Sequence, residues 1–89
     1  MFTIPAAARS SSVHEWLAGR VAAFTDRPVH LIDPAVPLAE LGFDSASAVA
    51  LCGEIEDHWL VEADPTVVFD YPTITDLAAY ITTELQLAA

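Results

Sequence analysis

Lysine is absent from this chain of 89 residues, and its cations are three arginines, Arg9, Arg20 and Arg27. Against 13 acidic residues they leave a net charge of −10. Every side chain after Arg27 is negative or neutral. A phosphate backbone repels such a surface, which argues against nucleic acid as a partner. An anionic bilayer repels it too. Cysteine is almost as scarce. The single Cys52 cannot close an internal disulfide, and no Cys/His cluster has metal-ligand spacing. His14, His30 and His58 are too scattered to suggest a site. No apolar run approaches the ~20 residues of a membrane span. The opening Met-Phe-Thr-Ile-Pro-Ala-Ala-Ala-Arg has neither a basic n-region nor a sustained apolar h-region. No signal peptide is therefore read there, and a cytoplasmic location is the expectation.

What remains is a small, apolar, acidic chain. A hydrophobic content of 54% can fill the core of one compact helical unit. Residues 1–11 read as a flexible lead with little to bury. The first helix is expected over about 12–26, opened by a capping box in Ser12-Val13-His14-Glu15. Val13, Trp16, Leu17, Val21 and Phe24 share one side of it. Pro28, Pro34 and Pro37 then forbid a continuous helix through 28–43. Leu38, Leu41 and Phe43 are too apolar to float, so the connection should lie against the bundle. Gly42 suits a turn with positive φ.

A second helix is expected over 45–59, with Asp44 as its N-cap. Ala48, Val49, Cys52, Ile55 and Trp59 fall on one side. Ala46, Ala50, Gly53, Glu54 and Asp57 fall on the other. Gly53 in mid-helix costs roughly 1 kcal/mol relative to alanine, and could mark a close approach. A short helix over 65–69 follows the Asp64-Pro65 start. The last helix, 73–86, is capped by Thr73 and lined inside by Ile74, Leu77, Ala78, Ile81 and Leu85. Three main helices and one short one make an all-α bundle. Phe24, Val49, Ile55, Phe69, Leu77 and Ile81, with Trp16 or Leu17, are expected to meet in its core.

Leu41-Gly42-Phe43-Asp44-Ser45 places a serine at a helix mouth after an acidic residue and a Gly-Phe turn. Val68-Phe69-Asp70-Tyr71-Pro72-Thr73-Ile74 follows at a set distance. Together these segments resemble the acyl carrier proteins of the polyketide synthase type, over nearly the whole chain beyond the lead. The resemblance implies a helical bundle of three to four helices and a carrier in place of a catalyst. It implies a 4′-phosphopantetheine arm, drawn from coenzyme A, on Ser45. It also implies that Asp44 is read by the phosphopantetheinyl transferase. A helix N-terminus presents free N–H groups and partial positive charge, which suit a phosphodiester there. The chain departs from the family in having Ala46 after the serine, Cys52 and Glu54 where arginines are frequent, and Trp59-Leu60 where a glycine commonly follows.

Other readings stay open. Gly-Phe-Asp-Ser differs from the arrangement of peptidyl carriers, yet an aminoacyl or peptidyl carrier of a nonribosomal or hybrid pathway remains an alternative. An acidic docking module without the arm is another. A hydrolase would need a Gly-x-Ser-x-Gly elbow and a histidine, and Ser45 has neither beside it in sequence. The acidic balance points to a partner with a basic docking patch, meeting Ala46, Ala50, Gly53, Glu54 and Asp57; the resemblance implies that this partner is an acyltransferase, ketosynthase or ligase. The chain alone is expected to be monomeric. Its length fits a discrete carrier and an excised module domain alike.

Overall fold

A computed structural model describes residues 6–88. Four helices follow one another: α1 (Ala6–Thr25), α2 (Ser45–Trp59), α3 (Thr66–Asp70) and α4 (Ile74–Ala88). Two 3₁₀ turns, Val29–Leu31 and Leu38–Leu41, punctuate the long α1–α2 connection, and no strand occurs among the described residues. The all-α bundle expected from the periodicities is the observed architecture.

Helix α1 begins six residues earlier than the Ser12 capping box implies. Ser12 sits inside the helix, so it caps nothing, and residues 6–11 are helix and not a lead. The run Ala6-Ala7-Ala8 has the highest intrinsic helical propensity available, which carries the helix back past the three serines. Residues 1–5 of the expected lead lie outside the described residues. The other helix starts are capped by the expected residues. Asp44 Oδ1 accepts the Ser47 N–H at 2.8 Å. Asp64 Oδ1 accepts from the Thr66 N–H at 3.0 Å and Oγ1 at 3.1 Å. Thr73 Oγ1 accepts the Asp76 N–H at 3.1 Å.

The core is one cluster. Val13, Leu17 and Val21 of α1, Leu51 and Ile55 of α2, and Ile74, Leu77 and Ile81 of α4 are all 0% exposed. Helix α1 packs most extensively along α4. Trp16 and Phe24 are packed against this core but only partly buried. Two expected core members are not there. Val49 is 56% exposed and Phe69 is 67% exposed. The buried stripe of α2 is Ala48, Leu51, Cys52 and Ile55. Leu51 takes the inward place, which turns Val49 toward solvent on the side of Ser45. In α3, one short turn can bury only one side, and Val67 and Val68 occupy it. Truncating Phe69, expected in the core, should therefore cost little.

Helix α2 ends at Leu60, which adopts φ 57° and ψ 38°. That left-handed cap is glycine's natural place, because a Cβ there clashes with the following carbonyl. Leu60 is also 84% exposed, so its side chain returns little packing energy.

Thermal unfolding tests these placements. Phe69→Ala should change stability by no more than about 0.5–1 kcal/mol, as surface substitutions do. Ile55→Ala should cost about 2–5 kcal/mol, as buried aliphatics do. Leu60→Gly should raise stability by about 1 kcal/mol by removing the left-handed strain. A loss on Leu60→Gly would show that the exposed leucine contributes packing.

Candidate functional site

The start of α2 is held from outside the helix. Pro34 and Pro37 break the connection into turns, yet the connection is tied down. Leu38 N–H donates to the Pro72 carbonyl at 2.8 Å, and Thr75 N–H to the Pro34 carbonyl at 3.1 Å. Leu38 and Leu41 are buried at 1% and 8% exposure. Gly42 then takes φ 89°, where a side chain would be strained. Its N–H and that of Phe43 return to the Ala39 and Leu38 carbonyls, each at 3.2 Å. The chain leaves this turn through Phe43, passes the extended Asp44, and enters α2 at Ser45.

Ser45 is exposed and is the first residue of the 15-residue helix. The free N–H groups and positive end of α2 surround it. Asp44 is exposed beside it, and its carboxylate is held below the ordinary aspartate value of 3.8. The main cause is the hydrogen bond from the Ser47 backbone, with the Ser47 side chain second. A cleft of about 310 Å³ opens against the same residues, lined by Phe43, Asp44, Ser45, Ala48, Val68 and Phe69. The lining contains no histidine. The arrangement offers an accessible hydroxyl at an anion-stabilising helix end, next to an apolar hollow.

The expected docking residues divide into two sets. Ala46, Ala50, Gly53 and Asp57 are all exposed and fall at i, i+4, i+7 and i+11, so they share the outer face of α2. Among the described residues nothing beyond the helix's own backbone lies within 4 Å of where a Gly53 Cβ would sit, so no close approach among them explains that glycine. Glu54 stands at the border of this face and is not free. Arg20 of α1 holds it, Nε to Oε1 at 2.5 Å and Nη2 to Oε2 at 3.3 Å. Sequence periodicity alone missed Phe69 and Val49 as exposed neighbours of the serine, and Arg20 as the partner of Glu54. The Arg20–Glu54 separation in sequence left no local signal.

Cys52 is buried, with its Sγ 3.5 Å from the Asp64 carbonyl. Burial, and then the charges of Glu56 and Asp64, push its thiol above the ordinary range. It stays protonated at neutral pH and packs as a small hydrophobe. Among the described residues no group of histidine, cysteine and acidic side chains could hold a metal ion, and no helix is long and apolar enough to cross a membrane.

Comparison with known proteins agrees with this geometry. The family described as "Phosphopantetheine attachment site" matches residues 15–81. The chain is 36% identical over 83 residues to the polyketide synthase GfsA of Streptomyces halstedii, which covers 92% of this chain and 1% of that protein. Among solved structures it is similar to a free-standing peptidyl carrier protein of Acinetobacter baumannii, with 34% identity, a TM-score of 0.83, and coverage of 86% of this chain and 96% of that one. The HMG-ACPI domain of the CurA module of Lyngbya majuscula shares the fold, with a TM-score of 0.80 at 22% identity over 90% of this chain and 82% of that domain.

The depressed carboxyl of Asp44 predicts a pH dependence. A lowered folded value contributes stability above the unfolded value, and loses it as pH falls through the folded one. Asp44→Ala should therefore melt below the parent at pH 7, and the gap should narrow as pH drops below 3.8. Melting curves from pH 7 to 2.5 check this. A gap independent of pH would assign the cap to hydrogen-bond geometry without charge.

Proposed function

This chain belongs to the phosphopantetheine attachment site family, and we propose that Ser45 is the residue on which it takes the 4′-phosphopantetheine arm. The observation that carries this is the position of Ser45, exposed, first in α2, and beside a cleft. When bound, the arm supplies a thiol that holds acyl groups as thioesters. In loading, Ser45 Oγ bonds to phosphorus of the coenzyme A pyrophosphate. The pyrophosphate P–O bond breaks and adenosine 3′,5′-bisphosphate leaves. The hydroxyl proton passes to a base on the phosphopantetheinyl transferase, since the cleft offers no histidine. The helix end stabilises the resulting phosphodiester. Asp44, capped onto Ser47, presents a fixed carboxylate that the transferase reads.

The family and its fold are those of carriers and not of catalysts, and we assign this chain the same passive role. The likeness to polyketide synthases supports acyl carriage in polyketide biosynthesis. The likeness to a peptidyl carrier at 34% identity supports aminoacyl or peptidyl carriage as the second reading. The partners of the loaded chain are then an acyltransferase, ketosynthase or ligase. The outer face of α2, with Ala46, Ala50, Gly53 and Asp57, suits a partner whose basic patch frames the entrance for the arm. Opposite potentials speed encounter without a large apolar interface, as serial short contacts require.

Two experiments test this reading. Intact mass after incubation with coenzyme A and a broad-specificity transferase should rise by one phosphopantetheine unit. Ser45→Ala should show no rise while keeping its helicity; a rise in that variant would place the arm elsewhere. For docking, Asp57→Lys should slow acyl transfer from the loaded chain, and salt should slow the parent, since screening shortens to ~3 Å at 1 M. Equal rates for parent and variant at low salt would make the acidity a solubility feature only.

A further inference from the structure

Of Gly42, Phe43, Asp44 and Ser45, Phe43 alone is not exposed. Beyond the buried Leu38 and Leu41 and their backbone bonds, one ring is therefore the side-chain contact that seats residues 42–45 on the bundle. That ring meets Phe24 of α1 edge to face, with centroids 5.6 Å apart and planes at 66°. Phe24 is in turn covered by Arg20, one helical turn earlier, whose guanidinium carbon lies 5.6 Å from its ring centroid. The same guanidinium grips Glu54 of α2 through both carboxylate oxygens. An unbroken line of contacts thus leaves the middle of α2 at Glu54, crosses α1 through Arg20 and Phe24, and ends at Phe43 in the turn that leads into α2.

We propose that this line is a brace that orients the Ser45 turn, and that Arg20 is a positioning residue for arm transfer. The inference rests on Ser45 being the attachment point. The chemistry of the parts fits the task. A planar guanidinium can lie on a ring and hold a carboxylate by its fork at once, which an ammonium cannot. Edge-to-face rings have a preferred geometry and so restrict rotation of Phe43. The ion pair is 39% and 35% exposed on its two sides, and pairs so exposed add little to stability. Removing it should leave the fold standing while loosening the turn. The brace also explains why Glu54 differs from Asp57. Its charge is spent within the chain, so partner recognition on α2 reads Asp57 and Asp44 in preference.

The test is transferase kinetics on full-length variants, read beside amide NMR. Arg20→Gln and Phe24→Leu should lower kcat by about 3–10-fold, as small misplacements of a reacting group do, with KM for the chain within twofold. Arg20→Lys should not rescue, because charge without the flat fork cannot make both contacts. Phe24→Tyr keeps the ring and should load at the parental rate. The amide signals of Asp44 and Ser45 should move in the slow variants and stay in Phe24→Tyr. Parental kcat with unmoved amides in Arg20→Gln and Phe24→Leu would overturn the brace and leave the attachment site standing. Loading of Ser45→Ala would overturn both. Should Arg20→Gln fail to fold, the Phe24 pair still decides between the outcomes.

Discussion

The presentation of Ser45 depends on the burial of Leu38 and Leu41 beneath a connection that prolines keep from being helical. Pro34 and Pro37 remove the option of a continuous helix, so the segment must find partners outside itself. It finds them at the start of α4, in the bonds from Leu38 N–H to Pro72 O and from Thr75 N–H to Pro34 O. These bonds join the two segments in which the sequence signatures stand, the Leu-Gly-Phe-Asp-Ser turn and the Val-Phe-Asp-Tyr-Pro-Thr run. Their sequence separation is bridged by packing. The turn at Gly42 can then be sharp, and α2 can start on the surface with its positive end free.

Once that entry is fixed, α2 works with two unlike faces. The face of Ala48, Leu51, Cys52 and Ile55 is sealed into the core. The face of Ala46, Ala50, Gly53 and Asp57 carries small or acidic side chains, and among the described residues nothing beyond the helix's own backbone approaches Gly53. Under the proposed carrier role such a surface suits contact with several enzymes in turn, since small residues impose few shape demands and charge acts at range. The cleft beside Ser45 continues this surface toward α3, where Phe69 stands open to solvent.

The legible part of the sequence was the part governed by local chemistry. Asp44, Asp64 and Thr73 all cap where their side chains permit, because capping is decided within three residues. The stripe Ile74, Leu77, Ala78 and Ile81 is buried as its period requires. What could not be read was decided by tertiary neighbours or by competing local signals. Ser12 looked like a cap, but alanines before it carry the helix through. Val49 and Leu51 both lie near the boundary of an apolar arc, and only the shared core of the bundle chooses between them. Phe69 belongs to an apolar run whose helix is too short to bury more than Val67 and Val68. Glu54 read as a solvated docking charge because its partner, Arg20, lies on another helix.

On the proposed reading, one turn, fixed by distant packing, offers one hydroxyl, that of Ser45, to the arm. Proton–phosphorus correlation NMR of the loaded protein tests it most directly. A single phosphodiester signal coupled to the Ser45 β-protons is predicted, with amide shifts confined to the first turn of α2 and the residues lining the cleft. Coupling to any other serine, or shifts spread through α1 and α4, would contradict it.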